Sequence, residues 1–215
     1  MKKFFVLCFV FMFCFCLSGC KGESNLSEHL TQVRSDYFVS EDENYQIKAV
    51  YGFNTDKNSG KKIYTLSFKL LNFNDEQVTH TLSFDYNQKN YSGQFKFNPV
   101  KNCMMLDVEV PNFNLKDFDV DFMGGSSVNK VKLRSVVPEN AINYQSALKL
   151  LLEKQPELIN LYKNGENLNL KISMRIAVKE NNAYWFVSLS GDNNSNKILL
   201  IDAINKEILA VRDVF

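Results

Sequence analysis

The sequence predicts a mainly β protein, with a β-sandwich-like domain over residues 44–137 and a small helix-plus-antiparallel-sheet (α+β) domain over 138–215. Three observations lead there. Apolar and polar residues alternate with period two in short runs from Tyr45 to Arg134, each run broken by turn residues. Between Pro138 and Pro156 the apolar spacing becomes helical. Alternation then returns and lasts to Val214.

Each element follows from its own pattern. Residues 21–43 are polar with no sustained period, so they read as a tether with a short helix near Leu26 to Val33. In the first alternating run Ile47, Ala49 and Tyr51 share a face. Tyr64, Leu66, Phe68 and Leu70 form the next row, then Val78, His80, Leu82 and Phe84. Residues 91–97 carry Phe95 and Phe97, and Met104, Leu106, Val108 and Val110 face one way opposite Asp107 and Glu109. Phe118, Val120 and Phe122 alternate with Asp119 and Asp121, and Val131 and Leu133 with Lys132 and Arg134. These seven or so strands have one dry and one wet face, as a two-sheet sandwich or an open barrel requires. No helix-length stretch separates them, so parallel pairing is not expected among them. An immunoglobulin-like sandwich is the first expectation and a single curved antiparallel sheet the alternative.

The helix is expected over 139–154, with Pro138 near its start and Pro156 ending it. A second, short one starts at Pro156 and stops at Asn164-Gly165. The strands that follow carry Ile172, Met174, Ile176 and Val178, then Trp185, Val187 and Leu189 opposite Tyr184 and Phe186. Residues 197–203 and 207–214 close the sheet.

The leader has its own logic. Lys2 and Lys3 precede an unbroken apolar run over residues 4–17, which Leu17-Ser18-Gly19-Cys20 ends abruptly. Fourteen apolar residues fall short of the roughly 20 needed to span a bilayer. LSGC resembles the lipobox of bacterial lipoproteins. That resemblance implies cleavage after Gly19, with Leu17, Ser18 and Gly19 as peptidase recognition residues, and acylation (palmitate-type chains) of Cys20. The expected location is the cell membrane or outer membrane, lipid-anchored and facing away from the cytoplasm. Beyond Cys20 only Cys103 remains, so no internal disulfide is expected, and its strand-like setting suits a buried structural thiol. Loss of Lys2 and Lys3 moves the formal charge from +1 to about −1, which argues against electrostatic capture of nucleic acid and against a polybasic membrane patch.

The C-terminal third carries a second resemblance. A helix opening at Ala141 with Ala147-Leu148-Lys149, then Tyr184-Trp185-Phe186-Val187, Leu200-Ile201-Asp202-Ala203 and Glu207-Ile208-Leu209, resembles the PepSY and PepSY-like family. Trp185 and Asp202-Ala203 match its recurrent endings, while Lys206 stands where the family usually has a turn glycine. The resemblance spans about residues 138–215. It implies an interaction module with no catalytic residues to carry over.

Candidate sites are few. His29 falls in the expected tether, away from any partner, and His80 lies on an apolar row as a core histidine. With one other Cys, they form no Cys/His metal cluster and no catalytic triad is tied to them. Asp117, Asp119 and Asp121 could attract Ca²⁺, but same-face strand neighbours stand about 6–7 Å apart, so a solvated face is the expectation. Glu41-Asp42-Glu43 reads as a polar lead-in. No phosphate-binding glycine motif occurs, and no cofactor or metal is expected. The candidate interaction face is the helix-free side of the C-terminal sheet, with Tyr184, Phe186, Lys171 and Arg175, provided that Trp185 and Val187 form the core row; the other reading is that this side packs on the β-sandwich-like domain.

The functional expectation is a non-enzymatic, lipid-anchored, extracytoplasmic protein-binding or regulatory module, held to the membrane through Cys20 and engaging a protein partner. A structural or envelope-assembly lipoprotein is the alternative. A carboxylate-dependent envelope enzyme is the third reading, and would need two inward-facing acids roughly 5–9 Å apart.

Overall fold

The alternating runs pair as strands in the structure, a computed structural model that describes residues 25–42, 45–71, 78–125, 127–191 and 196–214. The leader and lipobox residues Leu17, Ser18, Gly19 and Cys20 lie outside the described residues, as do Glu43 and parts of the expected turns around residues 72–77, 126 and 192–195. A 3-10 turn, Leu26–His29, leads into β1 (Leu30–Ser40), β2 (Ile47–Thr55), β3 (Lys62–Leu70), β4 (His80–Tyr86), β5 (Lys89–Gln94), β6 (Lys96–Asn98), β7 (Cys103–Glu109), β8 (Asp117–Gly124) and β9 (Ser127–Ser135). Helices α1 (Tyr144–Lys154) and α2 (Pro156–Asn160) follow, then a small hairpin of β10 (Lys163–Asn164) and β11 (Asn167–Leu168). The meander β12 (Lys171–Lys179), β13 (Asn182–Ser190), β14 (Asn196–Asp202) and β15 (Glu207–Val214) ends the chain.

The first nine strands join in the order β6-β7-β3-β2-β1-β9-β8-β4-β5, all antiparallel. The two ends of that order, β5 and β6, are separated only by Phe95, whose N–H donates to the His80 carbonyl at 2.9 Å. The sheet is therefore nearly closed, and the pairing follows the single curved sheet named as the alternative. Alternation explains its interior. Phe38, Ala49, Leu66, Phe68, Leu82, Phe84, Phe118, Val120 and Phe122 all turn inward into one cluster. Phe38 meets Phe118 edge-to-face at 5.4 Å and Phe113 at 5.9 Å. Each buried phenylalanine contributes on the order of 2–3 kcal/mol of apolar transfer, and edge-to-face pairs add about 1 kcal/mol.

The expected tether is overturned by β1. Residues 30–40 form a central strand, not a polar lead, and the short helix expected near Leu26 to Val33 is only a 3-10 turn. Leu26, Leu30, Val33 and Phe38 are all buried. Their spacing of four, three and five residues fits neither a helix nor a regular strand. The register shows why: it shifts between Leu30 and Gln32 against β12, and between Arg34 and Asp36 against β2. Each extra residue of a bulge resets the alternation. Opposite the second shift, a Cβ on Gly52 would lie 1.9 Å from the Val33 carbonyl oxygen, so this position has room only for glycine.

β1 is also where the sheet forks. One edge pairs with β2 along its length. The other pairs with β12 in parallel from Leu30 to Arg34, then with β9 in antiparallel from Phe38 to Ser40. One strand outside both expected domains thus bonds to strands of each.

Beyond the fork, β12 to β15 form an antiparallel meander, with α1 and α2 on its inner face. Ala147, Leu148, Leu151, Leu158 and Ile159 of the helices meet Met174, Trp185, Val187, Leu199 and Ile201 of the sheet. Helix α1 starts five residues later than expected, because residues 139–143 run as a non-helical lead-in that is tied down from below. The Trp185 indole N–H donates to the Ile142 carbonyl at 2.8 Å, and the Ile142 N–H to the Ala203 carbonyl at 2.8 Å. The Asn143 side chain then caps the helix by accepting from the Ser146 N–H at 2.9 Å. The second helix stops at Asn160, short of Gly165, and the hairpin takes up the remainder. Tyr64 packs against both apolar clusters, with Phe53 of the second cluster tilted against it at 5.4 Å and edge-to-face with Tyr144 at 5.9 Å. No helix among the described residues is long and apolar enough to cross a membrane.

Candidate interaction face

Strand β13 is regular over nine residues, so its parity decides which side chains are free. Trp185 and Val187 are 1% and 0% exposed and form the core row under the helices. Tyr184 and Phe186 therefore turn to the opposite, outer face, where both are half-buried. Cross-strand register builds their surroundings. Phe186 pairs with Arg175 on one side and Leu200 on the other. Ser188 pairs with Ser173 and Ile198, and Tyr184 with Ala177 and Asp202. The Arg175 guanidinium lies 5.0 Å from the centre of the Phe186 ring, within cation–π range. Lys171 shares the face but stands four residues down β12, about 13 Å along the strand from Arg175. The fold thus groups Tyr184, Phe186 and Arg175, and leaves Lys171 at the margin.

Sequence reasoning missed part of this face. Arg34 and Gln32 of β1 are register partners of Arg175 and Ser173, so the face continues onto a strand that the sequence had assigned to the tether. Arg34 is anchored there. Its guanidinium donates to the Val33 and Phe53 carbonyls and to the Asn54 side chain, each at 3.2 Å. Burial pulls its pKa below the ordinary arginine value, and Asp107 pulls it back. Leu200 and Ile198 were also overlooked. Their alternation was visible, but only the pairing places them beside Phe186.

A cleft of about 820 Å³ opens at the fork, where β12 and β9 part from β1. Tyr37, Val39, Val137, Pro138 and Val178 give it apolar walls, with Glu139 and Glu180 beside them.

The remaining candidates resolve as follows. His29 is not free, since its Nδ1 donates to the Leu170 carbonyl at 3.0 Å, which corrects the expectation of an unpartnered tether residue. His80 is 8% exposed and stacks on Phe122 at 5.8 Å, and neither ring nitrogen has a hydrogen-bond partner among the described residues. Asp117, Asp119 and Asp121 stand opposite Arg134, Lys132 and Lys130. Lys132 bridges to Asp117 at 3.3 Å, and Arg134 to Glu41 at 2.8 Å. This acidic row is matched by a basic one, and no group of three metal-ligating side chains comes together among the described residues. Cys103 is buried, as expected of a structural thiol.

The residues behind the PepSY-like resemblance have defined local roles. Trp185 ties down the helix lead-in. Asp202 closes the last turn, its carboxylate accepting from the N–H groups of Ile204 and Asn205 at 2.9 and 2.8 Å and from the Asn205 side chain at 2.9 Å. Those hydrogen bonds, led by the Asn205 N–H, hold its pKa below the ordinary carboxylate value against the effect of burial. Lys206 has φ +60°, the left-handed region that favours glycine. No protein-family model, no curated protein and no solved structure matches the chain.

Proposed function

We propose that this chain is a lipid-anchored, extracytoplasmic binding module, and that it engages a protein partner through the outer face of its C-terminal sheet. The observation that carries this reading is the row Arg175–Phe186–Leu200, a guanidinium stacked on an aromatic ring beside an aliphatic side chain, on the side of the sheet away from both helices. Arginine and aromatic residues are enriched where proteins meet, because they combine large apolar area with oriented polar groups. Tyr184 and Ile198 extend the apolar strip, and Ser173, Ser188 and Gln32 supply hydrogen-bonding groups around it.

The sequence supplies the rest of the reading. LSGC supports cleavage after Gly19 and acylation of Cys20, which would hold the protein at the cell membrane or the outer membrane. The PepSY-like pattern of residues 138–215 supports an interaction role without catalysis, as a regulator or helper of a secreted or membrane-bound protein.

The test is cross-linking in living cells, followed by affinity recovery and mass spectrometry. The intact lipoprotein is compared with a Tyr184→Ala/Phe186→Ala variant shown to keep its melting temperature. One dominant adduct, lost in the variant, supports the reading. An adduct of equal yield in both would move the interface elsewhere, and no adduct in either would favour a structural envelope role.

A further inference from the structure

We propose that the end of the molecule where the chain enters the fold rests on anionic lipid headgroups, through Lys57, Lys61, Lys163 and Lys171. This rests on the reading that Cys20 carries the lipid. Its force comes from the loss of the long tether. Leu26 is already 2% exposed within the core, and the described chain begins at Asn25. Five residues of any conformation reach at most about 18 Å. A lipidated Cys20 would therefore hold the folded body within about that distance of the bilayer, not at the end of a chain of some twenty residues.

The same geometry selects which surface faces the lipid. β1 starts at this end, and its neighbours share it. Leu30 pairs with Ile172, which puts Lys171 beside the chain entry. The Thr55 hydroxyl donates to the Leu30 carbonyl at 2.6 Å, which brings up the turn at residues 56–61 with Lys57 and Lys61. The Asn169 N–H donates to the Tyr162 carbonyl at 2.9 Å and His29 bonds the Leu170 carbonyl, so the hairpin carrying Lys163 lies here too. All four lysines are exposed, and none pairs with a carboxylate among the described residues. The acids at this end among the described residues are Glu28, Asp56, Glu166 and Asp213; Asp213 pairs with Lys197, and Asp56 accepts from the Asn58 and Ser59 N–H groups of its own turn. Lysines within a Debye length of an anionic surface, about 8–10 Å, are attracted to it, and a leash of at most about 18 Å lets them come within that range. The other end of β1 is about 33 Å away, and carries Lys101 and Lys130 on turns and strands beyond the reach of the surface.

The experiment uses the full lipidated protein, in vesicles of phosphatidylglycerol with phosphatidylcholine, in vesicles of phosphatidylcholine alone, and in detergent micelles. A membrane-impermeant amine-acylating reagent is added, and modification is read at each lysine by mass spectrometry, with the mass of Cys20 read in the same digest. The proposal expects modification of Lys57, Lys61, Lys163 and Lys171 to slow by about threefold or more in the anionic vesicles relative to micelles, and less in neutral ones, while Lys101 and Lys130 are unchanged. Lipid on Cys20 with equal labelling at both ends overturns the placement alone. Equal protection in both kinds of vesicle overturns the role of headgroup charge. Absence of lipid on Cys20 overturns the anchoring reading, and the placement falls with it.

Discussion

Lys206 sits in the last turn with φ +60°, a backbone region that costs an L-residue about 1–2 kcal/mol. Glycine adopts it freely but loses more freedom on folding, so Lys206→Gly should raise stability by a net ~0.5–1 kcal/mol. A urea titration checks this, and an unchanged or lowered midpoint would mean that the turn is not strained. Asp202 in the same turn makes a pH prediction. Its folded-state pKa is lowered by the N–H groups it accepts, so its contribution is present above the ordinary aspartate pKa of about 4 and lost as pH falls through the lowered value. Asp202→Asn cannot titrate, so its thermal midpoint should fall less steeply than the parent's over the acid range. Parallel acid limbs would show that the carboxylate contributes no pH-dependent stability. Both residues stood out in the sequence as a match and a departure from one pattern, but their physical reasons, an acceptor closing a turn and a left-handed φ, needed the backbone. Tyr184 and Phe186 were legible as a pair because β13 has no bulge, so parity alone assigns them to one face.

At the scale of elements, β1 was the least legible strand and is the most connected. Two register shifts within eleven residues scrambled its alternation, and its polar residues, which look like those of a tether, are the ones that turn to the outer face or form the bulges. The regular strands β3, β8 and β13 were read correctly for the opposite reason. Pairing partners were not legible at all, since nothing local in residues 30–34 announces a parallel neighbour 140 residues on. The strand and tether readings predict different outcomes for one deletion. Removing residues 25–40 takes away a strand hydrogen-bonded to β2, β9 and β12, together with the buried Val33 and Phe38, and should abolish cooperative unfolding. Far-UV circular dichroism on heating checks this. A deleted chain that melts as the parent does would restore the tether.

At the scale of the whole molecule, the two apolar clusters share β1, β2 and the bridging Tyr64. They should unfold together. Trp185 reports one cluster and Cys103, near the other end of the curved sheet, reports burial in the first part of the chain. In a Cys20→Ser protein lacking the leader, tryptophan fluorescence and thiol reactivity should give coincident denaturant midpoints. Separate midpoints would divide the molecule into the two independent domains that the change of hydrophobic period at Pro138 suggested. A single body also fixes the outer face relative to the chain entry, so a partner held by Arg175, Phe186 and Leu200 would meet a surface of set orientation relative to the proposed lipid anchor.

The claim that this outer face binds a partner is tested most directly by placing a photo-cross-linking amino acid at one of two positions in the full-length protein and irradiating living cells. Ser188 lies at the centre of the outer face, and Lys149 is exposed on α1, on the opposite side of the sheet. The account predicts one dominant adduct from position 188 and none of the same mass from position 149. Adducts of equal yield from both positions, or an adduct from 149 alone, would contradict it.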